Sequence, residues 1–357
     1  MYRSRVTALG FALLLAWTQA GAQLRVALLP FYNASAAETA REIFDESARH
    51  ILERRGIVSV DADSVNAVLR SLRIRNTATP VKEDLRALAD SLDVSFVLLG
   101  TIHRFTLDST FSEASLCARL IDVSSMRMIW NDCAVVAGGG GHALVSSPVH
   151  RKAGKLAKSA AKKLFSSIKT NRPEQRYHID ELVVSHQSKK QRVACTTVAV
   201  IPPLDEAEAS FSGDMIGDFL VESLMKRGFN VVDPGQVREV MLQSEDLRHG
   251  QSVRAVSSAL AENLGVDLVV TGTVSELTTE RHVSLGANPE AGFELRMIDP
   301  ATDVVVWAEY FRRSGKTGSG FFGVGAIHSP AKLVRNMVDG AVSDLRVIRR
   351  KNSITAQ

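Results

Sequence analysis

Two periodicities alternate along this chain, and the alternation is written out twice. The runs Val26 to Phe31 and Val198 to Pro203 are rich in β-branched residues and leucine. Each is broken by proline, which cannot donate to a ladder, so each predicts a buried strand and its end. A period near 3.6 follows, predicting a helix over Ala36 to Arg55 with Ile43, Phe44, Ala48, Ile51 and Leu52 on one face, and a matching helix over Gly213 to Arg227. Gly56 and Gly228 come next, as stops where a left-handed residue is needed. A short strand then leads to a second helix, predicted to be capped by Asp63 in one case and Asp233 in the other. A third helix, over Val81 to Leu92 and Arg254 to Leu264, runs into the strands Val94 to Ile102 and Val266 to Val274. Those strands are nearly all apolar, which predicts cover on both faces and parallel neighbours joined by β-α-β crossovers.

The second half of each pattern switches to period two. Ser112 to Val136 and Gly292 to Arg313 each read as two alternating strands around a tight turn, with Asp299-Pro300-Ala301-Thr302 an explicit turn tetrapeptide. A glycine-rich loop follows, then a last helix beginning at Ser147-Pro148 or Ser329-Pro330, a cap residue ahead of a proline. The two patterns align without a gap at an offset of 172 residues from the first strand to Thr101 and Thr273. The offset then becomes 177, which places Trp130 over Trp307. About five extra residues are therefore expected in a loop of the second copy. The fold class is α/β: two tandem domains, each a mixed parallel and antiparallel sheet flanked by helices.

The residues outside the repeats set the organisation. Residues 1–22 have the basic start, apolar middle and small-residue end of a secretory signal, with cleavage expected between Ala22 and Gln23. The apolar run is short of the roughly 20 residues that span a bilayer. Repeat 1 is expected over 23–170, a polar and basic linker over 171–195 with one edge strand at Glu181 to Ser185, repeat 2 over 196–350, and a disordered tail over 351–357. Two domains of about 150 residues can each bury a sizeable core. The formal charge of +4 is small for 357 residues and, in an exported protein, argues against nucleic acid as a partner.

The order of motifs adds a resemblance. Val198 to Pro203, Phe229 to Gln243, Ala259 to Glu276 and Leu295 to Phe311 together resemble the core domain of the CsgG-like family, the curli secretion component and its relatives; the penicillin-binding-protein activator LpoB and the amino-terminal domain of TolB share a similar fold. The resemblance covers both repeats, and repeat 2 matches better. It implies a non-enzymatic scaffold, or an assembly or secretion accessory, in the bacterial periplasm, free or associated with the outer membrane. Its partners would be other envelope proteins or further copies of the chain. Family members that build a pore carry two long amphipathic hairpins in the core. Here Leu277 to Gly292 and Arg313 to Ser329 stand at those positions and read as short loops, below the four strands of about 9 to 11 residues that two such hairpins need. The rival function is a periplasmic receptor holding a small ligand between the domains, where pockets concentrate.

Candidate chemistry is sparse. Ser314 to Gly320 contains Gly-Lys-Thr, but the glycine a phosphate-binding loop needs five positions earlier is replaced by Tyr310, so a flexible loop is expected, as it is for Gly138 to Gly141. His142 and His150 lack ligand spacing, and neither a metal site, a cofactor site nor a catalytic set is predicted. Cys117 and Cys133 lie on the two arms of the first hairpin, directly opposite or one diagonal step apart, and are either a disulfide or two buried thiols. Cys195 is a buried thiol or an intermolecular link. A helix over Ser147 to Thr170 carries Arg151, Lys155, Lys158 and Lys162 on one stripe, either a solvated face or a contact for anionic envelope polymers and lipid headgroups.

Overall fold

The structure is a computed structural model that describes residues 24–109, 111–139, 150, 152–168, 177–186, 189–195, 197–207, 212–243, 253–282, 286–317, 319 and 325–351. The signal cleavage site at Ala22 and Gln23, together with Arg151 and His142, lies outside them.

Repeat 1 runs β1 (Arg25–Leu28), β2 (Tyr32–Asn33), α1 (Ala40–Glu53), β3 (Val58–Ser59), α2 (Ala62–Ser71), α3 (Lys82–Leu92), β4 (Phe96–Leu107), β5 (Phe111–Asp122), β6 (Arg127–Gly139) and α4 (Ala153–Leu164). Its strands form a sheet in the order β3-β1-β4-β5-β6, with β2 also on β4. The strands β3, β1 and β4 pair in parallel, and β4, β5 and β6 pair antiparallel. After a hairpin of β7 (Tyr177–His186) and β8 (Lys189–Ala194), repeat 2 writes the same order. It consists of β9 (Thr197–Val200), β10 (Leu204–Asp205), α5 (Ser212–Arg227), β11 (Asn230–Val231), α6 (Pro234–Gln243), α7 (Val253–Leu264), β12 (Leu268–His282), β13 (Gly286–Asp299), β14 (Val304–Ser314) and α8 (Pro330–Asp344), and β15 (Arg346–Lys351) ends the chain. The second sheet is β11-β9-β12-β13-β14, with β10 on β12. No helix among the described residues is long and apolar enough to cross a membrane.

Each sheet divides its cover between helix pairs. In repeat 1, α1 and α4 bury one face through Phe44, Ala48, Leu52, Leu156, Ala160 and Leu164, while α2 and α3 bury part of the other through Val65, Leu69, Leu85 and Leu88. In repeat 2, α5 and α8 take the first role and α6 and α7 the second. The expected glycine stops are left-handed, Gly56 at φ +74° and Gly228 at φ +107°.

Several expectations need correction. The first helix begins at Ala40, four residues after the expected Ala36. Asp61, not Asp63, caps α2: Asp61 has an extended backbone and accepts from the Ser64 amide at 3.0 Å, whereas Asp63 is already inside the first turn. The helix α4 begins at Ala153, with Lys152 ahead of it extended at φ −126° and ψ 126°, and the start expected at Ser147-Pro148 lies outside the described residues. The residues between the repeats hold a hairpin, not one edge strand, and β15 pairs with β7, so the chain's last strand returns to the segment that joins the repeats. Every described residue of Leu277 to Gly292 is strand, not loop. The antiparallel pairing of β12 and β13 continues to His282 and Gly286, so the residues gained by repeat 2 lengthen a hairpin. Gly138 and Gly139 are likewise strand, paired with Ser112 and Phe111. Gly315 is buried and held on both sides, its amide donating to Pro289 and its carbonyl accepting from Ile327, each at 2.7 Å. A Cβ there would come within 2.0 Å of the Ile327 carbonyl, so this part of the segment is strapped down.

Candidate functional site: the junction of the two repeats

The sheet face of repeat 1 that α2 and α3 leave uncovered is covered by repeat 2. Cys117, Met128, Cys133 and Val135 belong to the same apolar cluster as Phe219, Leu224, Leu333 and Met337. That is why every residue of β5 is buried, although its sequence alternates. An alternating strand predicts one wet face; here the polar positions meet partners from the other repeat.

Those polar contacts make the junction specific. Arg119 on β5 donates to Asp233 at 2.5 Å and to the Ala78 carbonyl, and both side chains of the ion pair are 5% exposed or less. Asp233 is at the same time the first residue ahead of α6, accepting from the Gly235 amide at 2.8 Å. Gly235 has to be glycine, since a Cβ would lie 2.4 Å from the Pro80 carbonyl of repeat 1. Glu113 accepts from Arg104 at 2.7 Å, and across the junction from the Ser329 hydroxyl and the Ala331 amide at the start of α8, where the helix dipole favours an anion. Ser329 also caps α8 by accepting from the Lys332 amide at 3.0 Å.

Around Glu222 a denser group forms. This buried carboxylate accepts from Arg335 at 2.5 Å, from Lys226 and from the Cys133 amide at 3.2 Å. Burial, and then the neighbouring Asp132 carboxyl, push the Glu222 carboxyl up to about 7 against the pull of Arg335 and Lys226. Burial also acts to raise Asp132, but the hydrogen bonds from Glu222 and Ser167 and the charge of Lys226 outweigh it and hold that carboxyl below its ordinary range. Lys226 stands 3.3 Å from Asp132.

A cavity of about 240 Å³ lies at the same junction, lined by both repeats, with Tyr32, His103 and Arg119 on one side and Asp214, Asp218 and Met241 on the other. The buried His103 ring places Nε2 2.9 Å from Asp218, while its Nδ1 has no hydrogen-bond partner among the described residues. Burial and the charge of Asp218 raise the Asp214 carboxyl. His103, Cys117 and Asp218 converge within 4.8 Å, a spacing that could hold a metal ion. Cys117 Sγ, however, is bonded to Cys133, so it offers no thiolate and the set does not fit a metal in this form.

The residues singled out from the sequence fall in three places. Cys117 and Cys133 are directly opposite in register and joined, on the face that repeat 2 covers. Cys195 is a buried free thiol, pushed up to about 12 by burial and Asp267. Lys155, Lys158 and Lys162 are exposed on α4, opposite the buried Leu156, Ala157, Ala160, Ala161 and Leu164. None of these lysines is at the junction. The sequence pattern did not single out His103, Arg119, Asp132 or Glu222. One signal was present: a charged residue inside a strand that otherwise reads as core.

No family model matches the chain, and no curated protein matches it. Its fold is similar to solved structures at low identity. These include the PelC dodecamer from Paraburkholderia phytofirmans (16% identity, 43% of this chain and 89% of that one, TM-score 0.29), the lipoprotein GNA1162 from Neisseria meningitidis (20%, 42% and 96%, 0.31) and the LpoB C-terminal domain from Escherichia coli (15%, 34% and 84%, 0.27).

Proposed function

We propose that this is an exported, non-enzymatic protein of the bacterial cell envelope, a CsgG-like scaffold or an assembly or secretion accessory acting through protein interfaces. One observation carries the reading. Most of the buried charged groups at the junction are spent on joining the repeats: Arg119 on Asp233, Glu113 on the start of α8, Asp132 on Lys226, and Glu222 on the Cys133 amide. A body locked in this way presents fixed outer surfaces to partners. Its test is crosslinking in intact cells followed by identification of the attached proteins. Envelope proteins recovered with the chain support the reading; a chain that captures none overturns it.

The cavity favours a second reading, a receptor for a small ligand between the repeats. Its volume is below the roughly 300 to 1,000 Å³ of ordinary ligand sites, so only a small polar molecule would fit between His103 and Asp214. A ligand-dependent rise in melting temperature that is lost on replacing Asp214 by Ala would favour the receptor over the scaffold.

A further inference from the structure

The junction between the repeats is a plug and a socket, and each repeat carries a copy of both. The socket of repeat 1 is its β4-β5-β6 face; the plug of repeat 2 is the α5, β11 and α6 side. The same residues in the opposite repeats, at offsets of 177 and 172, give a second socket on β12-β13-β14 and a second plug on α1, β3 and α2. Among the described residues neither is covered as the first pair is, although β7 comes against β14. Along β14 most residues are exposed, and Tyr310, at the position of Cys133, is 58% exposed.

The unfilled halves match each other position by position. Arg119 and Asp233 pair in the junction. Their counterparts are Arg296, partly exposed and held among the described residues only by Glu294 of its own strand at 2.9 Å, and Asp61, which is exposed. Asp132 and Lys226 pair, and their counterparts Glu309 and Arg54 keep the two signs and are both exposed. Arg127 donates to Asn230, and here both counterparts have changed together, to Val304 and Val58, which are 48% and 41% exposed. A polar pair inside the chain thus becomes an apolar pair of exposed valines, which costs free energy unless the two meet.

We infer that repeat 2 of one molecule receives repeat 1 of a second copy through this surface, repeating the internal junction. Such a contact is heterologous, so it generates a closed ring or an open filament, not a two-fold dimer. It names a partner for the interface role proposed above and rests on that reading. If self-association fails while other envelope proteins are still captured, this pairing alone is overturned; if nothing is captured at all, both are.

The test is sedimentation velocity of the full chain over a range of concentrations, with Arg54→Glu, Glu309→Arg and the two combined, each confirmed folded by circular dichroism. The wild type should associate, and each reversal should weaken association by about tenfold or more by opposing like charges. The double variant should return to within about threefold of the wild type, as coupled neighbours do. Independently, Val58→Cys combined with Val304→Cys should give a ladder of oxidised multimers, while either alone gives dimers at most. A chain that is monomeric at every concentration and forms no ladder overturns the inference. So does a Val304→Cys variant that crosslinks as fully as the pair, since that would place two sockets face to face.

Discussion

The hairpin β5-β6 of repeat 1 and the hairpin β13-β14 of repeat 2 descend from one pattern and end in opposite environments. In β6 only Arg127 is exposed. In β14 exposed residues dominate, and Val304, Val305 and Tyr310 face outward. The backbone registers are alike, each with one irregularity at the same place, between Leu120 and Ile121 or between Met297 and Ile298. What differs is the neighbour. Repeat 2 lies on the first hairpin, while among the described residues most of β14 on the second stays exposed. The difference shows that burial at a given position is set here by domain stacking, and that residues at matched positions can be used to measure it.

The largest contrast should come from the matched arginines. Arg119→Ala leaves Asp233 buried without its cation, which costs about 3 to 5 kcal/mol, whereas Arg296→Ala removes one side of a partly exposed pair with Glu294 and should cost less than about 1 kcal/mol. Urea unfolding of both variants measures this. Equal losses would show that the junction does not bury Arg119 as described. A second contrast is the cysteine pair, whose counterparts are Glu294 and Tyr310. The link joins residues 16 apart in sequence, so replacing Cys117 and Cys133 by Ala should lower stability by roughly 3 kcal/mol. A thermal scan with and without reductant on the wild type should show the same loss, and the Ala pair should be insensitive to reductant.

The third effect is on pH dependence. Glu222 ionises near its ordinary value of 4.5 when unfolded and near 7 when folded. Its contribution is therefore fully present below about 4.5 and is lost as pH rises to 7, a change of up to about 3 kcal/mol. Asp132 acts in the opposite sense, its contribution being lost as pH falls through its lowered value. Glu222→Gln should flatten the stability profile between pH 4.5 and 7, leaving a residual slope from Asp45 of repeat 1, which burial raises to about 6. An unchanged slope would rule out Glu222 as the titrating group. The position of Glu222 in repeat 1 is His50, on the unfilled plug, which carries no equivalent carboxylate.

Most of the architecture could be read from the chain because it rests on local signals: glycine stops at Gly56 and Gly228, the Ser329 cap, and apolar faces such as Phe44 to Leu52. The junction could not, because its contacts join residues more than 80 apart with no periodic trace. Arg119 and Glu113 looked like the wet positions of an alternating strand, and only the presence of repeat 2 turns them inward. The sequence also misplaced elements where a backbone choice is made over one or two residues, as at Asp61. The segment Leu277 to Gly292 read as a loop because its polar residues hide a ladder held by main-chain bonds, which leave no side-chain signature.

The smallest expected effect concerns the two last helices of the repeats. In repeat 2, the outward residues of α8 are drawn into the junction, with Arg335 on Glu222 and Ser329 on Glu113. In repeat 1, the basic stripe of α4 has no such partners among the described residues, and Lys155, Lys158 and Lys162 stand exposed. If that face meets anionic lipid headgroups, each lysine adds up to about 1 kcal/mol, so changing all three to Glu should abolish sedimentation with anionic vesicles and leave neutral vesicles unaffected. The effect must also shrink with added salt, because exposed charges are screened over about 10 Å at 0.1 M ionic strength. Lys163 is the internal control. Its amine donates to the Val135 carbonyl at 2.8 Å, and burial, followed by the charges of Arg335 and Lys332, lowers its pKa, so Lys163→Glu should cost stability and not vesicle binding. Unchanged sedimentation of the triple variant would assign the stripe to solvent, and the contrast between α4 and α8 would then be one of burial alone.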